Sequence, residues 1–138
     1  MRGCTRRTFN LVLCGAAVEL AACASSRPTL TPSGSQVTLS YAQFPALMSP
    51  GGSAVVDVQN GFPIAVVRTG DATAVALSAT CTHAACIVDY NGAANQLHCP
   101  CHNADFELTG AVVRGPTTIP LPVYAATPGT DGIVVDLS

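Results

Sequence analysis

Cys81-Thr82-His83 and, fifteen residues further on, Cys99-Pro100-Cys101-His102 place one thiol and one imidazole on each of two short segments. A fold that brings these four side chains together must hold two loops side by side. Two Cys and two His make a mixed sulfur and nitrogen donor set that suits zinc or an iron-sulfur centre. Zinc patterns usually pair like with like, as C-x-x-C followed by two spaced histidines, and do not normally carry two further cysteines around the ligands. A thiol-disulfide exchange site fits less well, because one residue separates Cys99 from Cys101 and no helical pattern follows.

The 138 residues are 49% hydrophobic, enough for one core-bearing domain and a leader. Only 10% are charged, Lys is absent, and the basic cluster is confined to the first seven residues. That distribution argues against nucleic acid as a partner, since phosphate contacts dominate such affinity. No Ser-His-Asp, paired-carboxylate or phosphate-loop pattern is present, and no small-molecule substrate pocket is expected.

The start of the chain reads as an export signal: Arg2, Arg6 and Arg7, then the apolar run Leu11 to Val18, then small residues around Cys23. Thr5-Arg6-Arg7-Thr8-Phe9 resembles the twin-arginine signal of bacteria, which implies export of an already folded protein. Leu20-Ala21-Ala22-Cys23 resembles a lipoprotein box, which implies acylation of the Cys23 thiol and a membrane tether. Cleavage after Ala24 and an uncleaved anchor are the alternatives, although eight apolar residues fall short of the roughly 20 that span a bilayer. The expected organisation is therefore an export signal over 1–22, a flexible lipid-anchored linker over 23–36 and a folded domain over 37–138. The thirteen residues Ala24 to Gln36 would reach about 43 Å when fully extended. Without residues 1–22 the chain keeps three Arg against seven acidic residues, a net −4, which favours a basic docking face on its partner.

From Val37 onward short β-branched runs alternate with turn residues, which predicts an all-β fold. The expected strands are Gln36 to Tyr41, Ser53 to Val58, Ile64 to Arg68, Thr73 to Ser78, Asn95 to His98, Asp105 to Leu108, Ala111 to Arg114 and Gly132 to Leu137. One helical turn is expected at Tyr41 to Leu47.

Residues 72–124 resemble the Rieske [2Fe-2S] protein family. The likeness rests on Cys81-Thr82-His83-Ala84-Ala85-Cys86, on His98-Cys99-Pro100-Cys101-His102, and on Gly115-Pro116 with Pro120-Leu121-Pro122 after it. It implies an antiparallel β-sandwich or barrel with a small cluster-binding subdomain, about residues 80–108, formed by two loops. One [2Fe-2S] cluster per chain is implied, with Cys81 and Cys99 on one iron and His83 and His102 on the other. Cys86 and Cys101 match the pair that forms a disulfide in the high-potential branch, and an export leader supplies the oxidising compartment such a bond needs. His98 matches no ligand position and reads as a structural residue.

The implied function is one-electron transfer by an exported, membrane-tethered, extracytoplasmic protein serving a redox protein partner, with no catalytic site of its own. Alternatives are an iron-sulfur subunit of a larger oxidoreductase, resembling those of cytochrome bc complexes or arsenite oxidase, and a disulfide-stabilised structural or zinc-binding β-domain. A cytoplasmic ferredoxin serving a ring-hydroxylating oxygenase is disfavoured, since such relatives normally lack the extra cysteines and a leader. Where quinol-oxidising relatives carry Gly, Ser and a nearby Tyr in the second loop, this chain has Asn103, Ala104 and Phe106, and Ala84 replaces a bulky Leu in the first. The missing hydroxyls predict a lower reduction potential. Asn103 fits in place of Gly if its backbone is left-handed.

Overall fold

The computed structural model describes residues 26–138. Alternation of apolar and polar residues sets the inward faces of most strands. In β2 (Gln36–Ser40) Val37 and Leu39 are buried, and they face Val135 and Ile133 across the ladder with β11 (Gly132–Asp136). The period of two sends every second side chain to the same interior. β4 (Ile64–Arg68), between β3 (Ser53–Val58) and β5 (Ala74–Ser78), departs from this rule because all five of its residues are buried. Its Ile64 and Val66 enter one core and its Ala65 another, as expected of a strand covered on both faces.

The remaining strands are β1 (Thr29–Leu30), β6 (Asp89–Asn91), β7 (Gln96–Cys99), β8 (Ala104–Glu107), β9 (Val112–Arg114) and β10 (Val123–Pro128). They form a seven-stranded sheet of order β1-β3-β4-β5-β10-β11-β2 and a four-stranded sheet of order β6-β7-β8-β9. Among the described residues only the β1–β3 pair is parallel. The larger sheet curls around Val37, Leu39, Val56, Ile64, Val66 and Ile133, and Leu47 from the 3-10 turn Pro45–Met48 joins that core. Ser33 bridges to Gln36 where the chain passes from one sheet edge to the other, so the barrel is nearly closed. The smaller sheet lies over the outer face of β4 and β5, burying Leu97, Phe106 and Val88 against Ala65 and Leu77.

Eight expected strands are present to within a residue or so of their expected ends, and the helical turn is shortened to Pro45–Met48. Three strands were not foreseen. β10 was hidden because Ala125, Ala126 and Pro128 dilute its β-branched character, and β6 is only three residues long. β1 corrects the expectation of a flexible linker through residue 36. Arg27 pairs with Asp57 at 3.2 Å, the Asp57 N–H donates to the Pro28 carbonyl at 2.9 Å, and Leu30 packs against the barrel core. Covering the exposed edge of β3 satisfies backbone groups that a free linker would leave open. The export signal assigned to 1–22 and the lipidation site Cys23 lie outside the described residues.

Arg68 closes the barrel at the end away from Cys81. It is 8% exposed, and its guanidinium donates to the Tyr41 hydroxyl at 2.7 Å, the Gly70 carbonyl at 2.6 Å, the Leu47 carbonyl at 3.3 Å and the Asp71 carbonyl. Neutral acceptors alone hold this buried cation. Arg68→Met keeps the apolar stem but orphans those acceptors, and should cost about 2–4 kcal/mol. Urea unfolding of the variant checks this as a lower midpoint at unchanged slope.

Candidate metal centre

The first loop leaves the end of β5. It closes on itself as the Cys81 N–H donates to the Cys86 carbonyl at 2.7 Å and the Ala85 N–H to the Cys81 carbonyl at 3.1 Å. Ala85 adopts φ 55°, a left-handed conformation that costs an alanine about 1–2 kcal/mol. The second loop is the β7–β8 connection, with Cys99 paired to Ala104 at its base. Asn103 turns that loop at φ 55°, so the left-handed condition set by the sequence is met.

Each loop contributes one buried sulfur and one exposed imidazole. Cys81 is 3% exposed and Cys99 fully buried, whereas His83 and His102 stand at the surface. Burial above all pushes the Cys99 thiol up, and the neighbouring Cys81 thiol adds to the shift. The backbone groups of Cys101 and His102 oppose that shift. Donors of this kind stabilise a thiolate once a metal replaces the proton. The Nδ1 atoms of His83 and His102 are 3.3 Å apart, with the rings edge to face at 83°. Two imidazole nitrogens bound tetrahedrally to one metal at roughly 2.0–2.1 Å stand about 3.3 Å apart, so the pair fits a single ion.

Cys86 and Cys101 form a disulfide across 15 residues with Cα atoms 6.4 Å apart. The bond ties the two loops together and closes a segment whose cross-linking contributes about 3 kcal/mol in the chain-entropy model. The sulfurs of Cys86, Cys99 and Cys101 lie within 4.8 Å of one another, but two of them bind each other and only Cys99 retains a thiol to offer. Cys81 and Cys99 are the free cysteines among the described residues.

A third loop, 115–122, braces the first. The Thr82 hydroxyl donates to the Ile119 carbonyl at 2.7 Å and lies 3.0 Å from the hydroxyl of buried Thr117. Gly115 has φ 131°, and a Cβ there would lie 2.7 Å from both Cα and Cβ of Ala104. The Gly-Pro pair was legible in the sequence, but the hydroxyl contacts that dock this loop on Thr82 had no local signal.

His98 has the structural placement expected of it. It faces Asp105 on β8 with Nδ1 2.6 Å from the carboxylate, and Arg114 on β9 approaches the other carboxylate oxygen at 2.8 Å. The row ties β7, β8 and β9 together on the face away from the sulfurs' core. The His98 hydrogen bond, followed by the Arg114 charge, holds the Asp105 carboxyl below the usual carboxylate range against its partial burial. A depressed folded pKa stabilises the fold fully above the unfolded value near pH 4, and that contribution is lost as pH falls through the folded value. Asp105→Asn should therefore lower stability at neutral pH and flatten the decline below about pH 4, read from urea unfolding at a series of pH values.

Comparison with known proteins agrees with this geometry. The family model of the Rieske [2Fe-2S] domain matches residues 42–125. The chain is 40% identical over 86 residues to a cytochrome b6-f complex iron-sulfur subunit from Chlorobaculum thiosulfatiphilum, covering 62% of this chain and 47% of that one. The chain thus spans about half the length of the b6-f subunits it matches. Among solved structures, the cyanobacterial plasma membrane Rieske protein from Synechocystis PCC 6803 is 34% identical with a TM-score of 0.57, covering 70% of this chain and 94% of that one. The ferredoxin of carbazole 1,9a-dioxygenase from Nocardioides aromaticivorans IC177 gives a TM-score of 0.59 at 25% identity, over 82% of this chain and 100% of that one.

Proposed function

Because the chain belongs to the Rieske [2Fe-2S] domain family, we propose that it is a one-electron carrier whose cluster is held by Cys81 and Cys99 on one iron and by His83 and His102 on the other. The observation that carries this reading is the pair of buried neighbouring thiols beneath two exposed imidazoles whose Nδ1 atoms are 3.3 Å apart. The bound cluster supplies a centre that takes and gives up single electrons. The residues do the rest: the second core keeps water from the sulfurs, the disulfide and Thr82 hold the loops in place, and the surface imidazoles shorten the path to a partner.

The twin-arginine pattern and the disulfide together support work outside the cytoplasm, since that bond persists in oxidising compartments. Residues 1–22 then act as the export signal and Cys23 carries the lipid that tethers the protein to a membrane. Among the described residues no helix is long and apolar enough to cross one. The likeness to b6-f iron-sulfur subunits favours a bc-type assembly as the redox partner, and an arsenite-oxidase-like complex is the second reading.

Electron paramagnetic resonance and visible spectra of the reduced full chain decide the cofactor. A Rieske signal lost in Cys81→Ser and in Cys99→Ser is expected, whereas a colourless protein holding stoichiometric zinc would overturn the reading.

The potential follows from Ala104 and Phe106, which are fully buried and carry no hydroxyl to donate toward the sulfurs. Protein-film voltammetry should give a midpoint below the top of the Rieske range, about +300 mV. Ala104→Ser or Phe106→Tyr should raise it.

A further inference from the structure

Opening the Cys86–Cys101 bond would leave three thiols in one place. The sulfurs of Cys86, Cys99 and Cys101 all lie within 4.8 Å of one another. Three thiolates bound at about 2.3 Å to one tetrahedral zinc ion stand about 3.8 Å apart, so the group can close on an ion through side-chain rotation and small shifts of the loops. Among the described residues, Cys81, His83 and His102 fall outside this group, although the Cys81 thiol neighbours that of Cys99. The all-sulfur set therefore differs from the two-sulfur, two-nitrogen set assigned to the cluster and shares only Cys99 with it.

Two of the three sulfurs are positioned without help from the disulfide. The Cys86 carbonyl accepts from the Cys81 N–H at 2.7 Å, and the next residue, Ile87, bridges to Thr80. Cys99 ends β7, fully buried and paired with Ala104. Cys101 is the adjustable member, exposed in a turn two residues beyond Cys99. The segments 79–88 and 99–104 that surround the group carry no Asp or Glu. Thiolates without a carboxylate beside them select zinc and softer ions over calcium or magnesium, which take oxygen ligands.

We propose that Cys86, Cys99 and Cys101 form a zinc site in the disulfide-reduced protein, and that this site competes with the [2Fe-2S] cluster for Cys99. The site stands without the electron-carrier reading above, whereas the competition rests on it. A dithiol in a reducing compartment supplies two electrons and two protons to the Cys86–Cys101 bond and becomes a disulfide itself, leaving two thiols. Zinc then forms three Zn–S bonds, and each thiol gives up its proton as its bond forms. Water takes the fourth position, as in other zinc sites with three protein ligands. The closed disulfide withholds two of the three ligands, so besides tying the loops it guards Cys99 against zinc.

The full-length, cluster-loaded protein is treated with zinc, with a trialkylphosphine and with both. The phosphine cleaves the disulfide and becomes its oxide, with water supplying the oxygen and the protons. The paramagnetic signal is recorded first, and its absence would sink the carrier reading and the competition, leaving the zinc site to be decided on the metal-free chain. Zinc added to phosphine-treated protein should speed cluster loss about tenfold over phosphine alone, while zinc alone leaves the signal intact. In the reduced, metal-free full-length chain, cobalt as a spectroscopic stand-in for zinc should give a sulfur-to-metal charge-transfer band that Cys86→Ser and Cys101→Ser each diminish by about a third. Both variants should bind zinc about tenfold or more weakly than reduced wild type, which lacks the disulfide as they do. Cys81→Ser and His83→Ala should keep the band, and zinc should protect the exposed Cys101 thiol from alkylation. Equal zinc affinity of the oxidised and reduced chains, indifference to both Ser variants, or dependence on Cys81 and His83 would place the ion elsewhere and overturn the proposal. Unfolding on reduction, read by circular dichroism, would overturn it as well, because the site needs both loops in place.

Discussion

Everything at the metal centre depends on the packing between the outer face of the barrel and the smaller sheet. Cys81 and Cys99 belong to the same apolar cluster as Ala65, Leu77, Leu97, Val88 and Phe106. The thiols are therefore placed by the hydrophobic effect before any metal is bound, at roughly 25 cal/mol for each Å² of apolar surface removed from water. β4 makes this possible because its two faces serve two cores, so the barrel and the loops cannot shift independently. A strand buried on both sides is a stiff reference for the cofactor.

Above that packed layer the loops have little core of their own, and covalent and polar ties take over. The Cys86–Cys101 bond joins the two loops, while Thr82, Thr117 and Gly115 join them to the third. Burial then falls off sharply from the sulfurs to the imidazoles. A cofactor held across that gradient has one side shielded from water and the other open to exchange.

How much of this could be read from the sequence varied with the range of the interaction. The donor set, the cysteine pair, most strands and the left-handed Asn103 are local signals, fixed by residue type and by spacing. β1 and β10 were not legible, because their pairing depends on partners elsewhere in the chain, β1 is two residues long, and Ala125, Ala126 and Pro128 dilute β10. The Thr82–Thr117 contact spans 35 residues and has no motif.

β1 has a mechanical meaning as well. It runs parallel to β3, and so toward the end of the barrel where the ligand loops lie, which means the chain enters from the other direction. Arg27 and Pro28 are already tied to Asp57 on β3, so the described domain offers no free linker between this entry point and the barrel, and β1 moves with the barrel as one body.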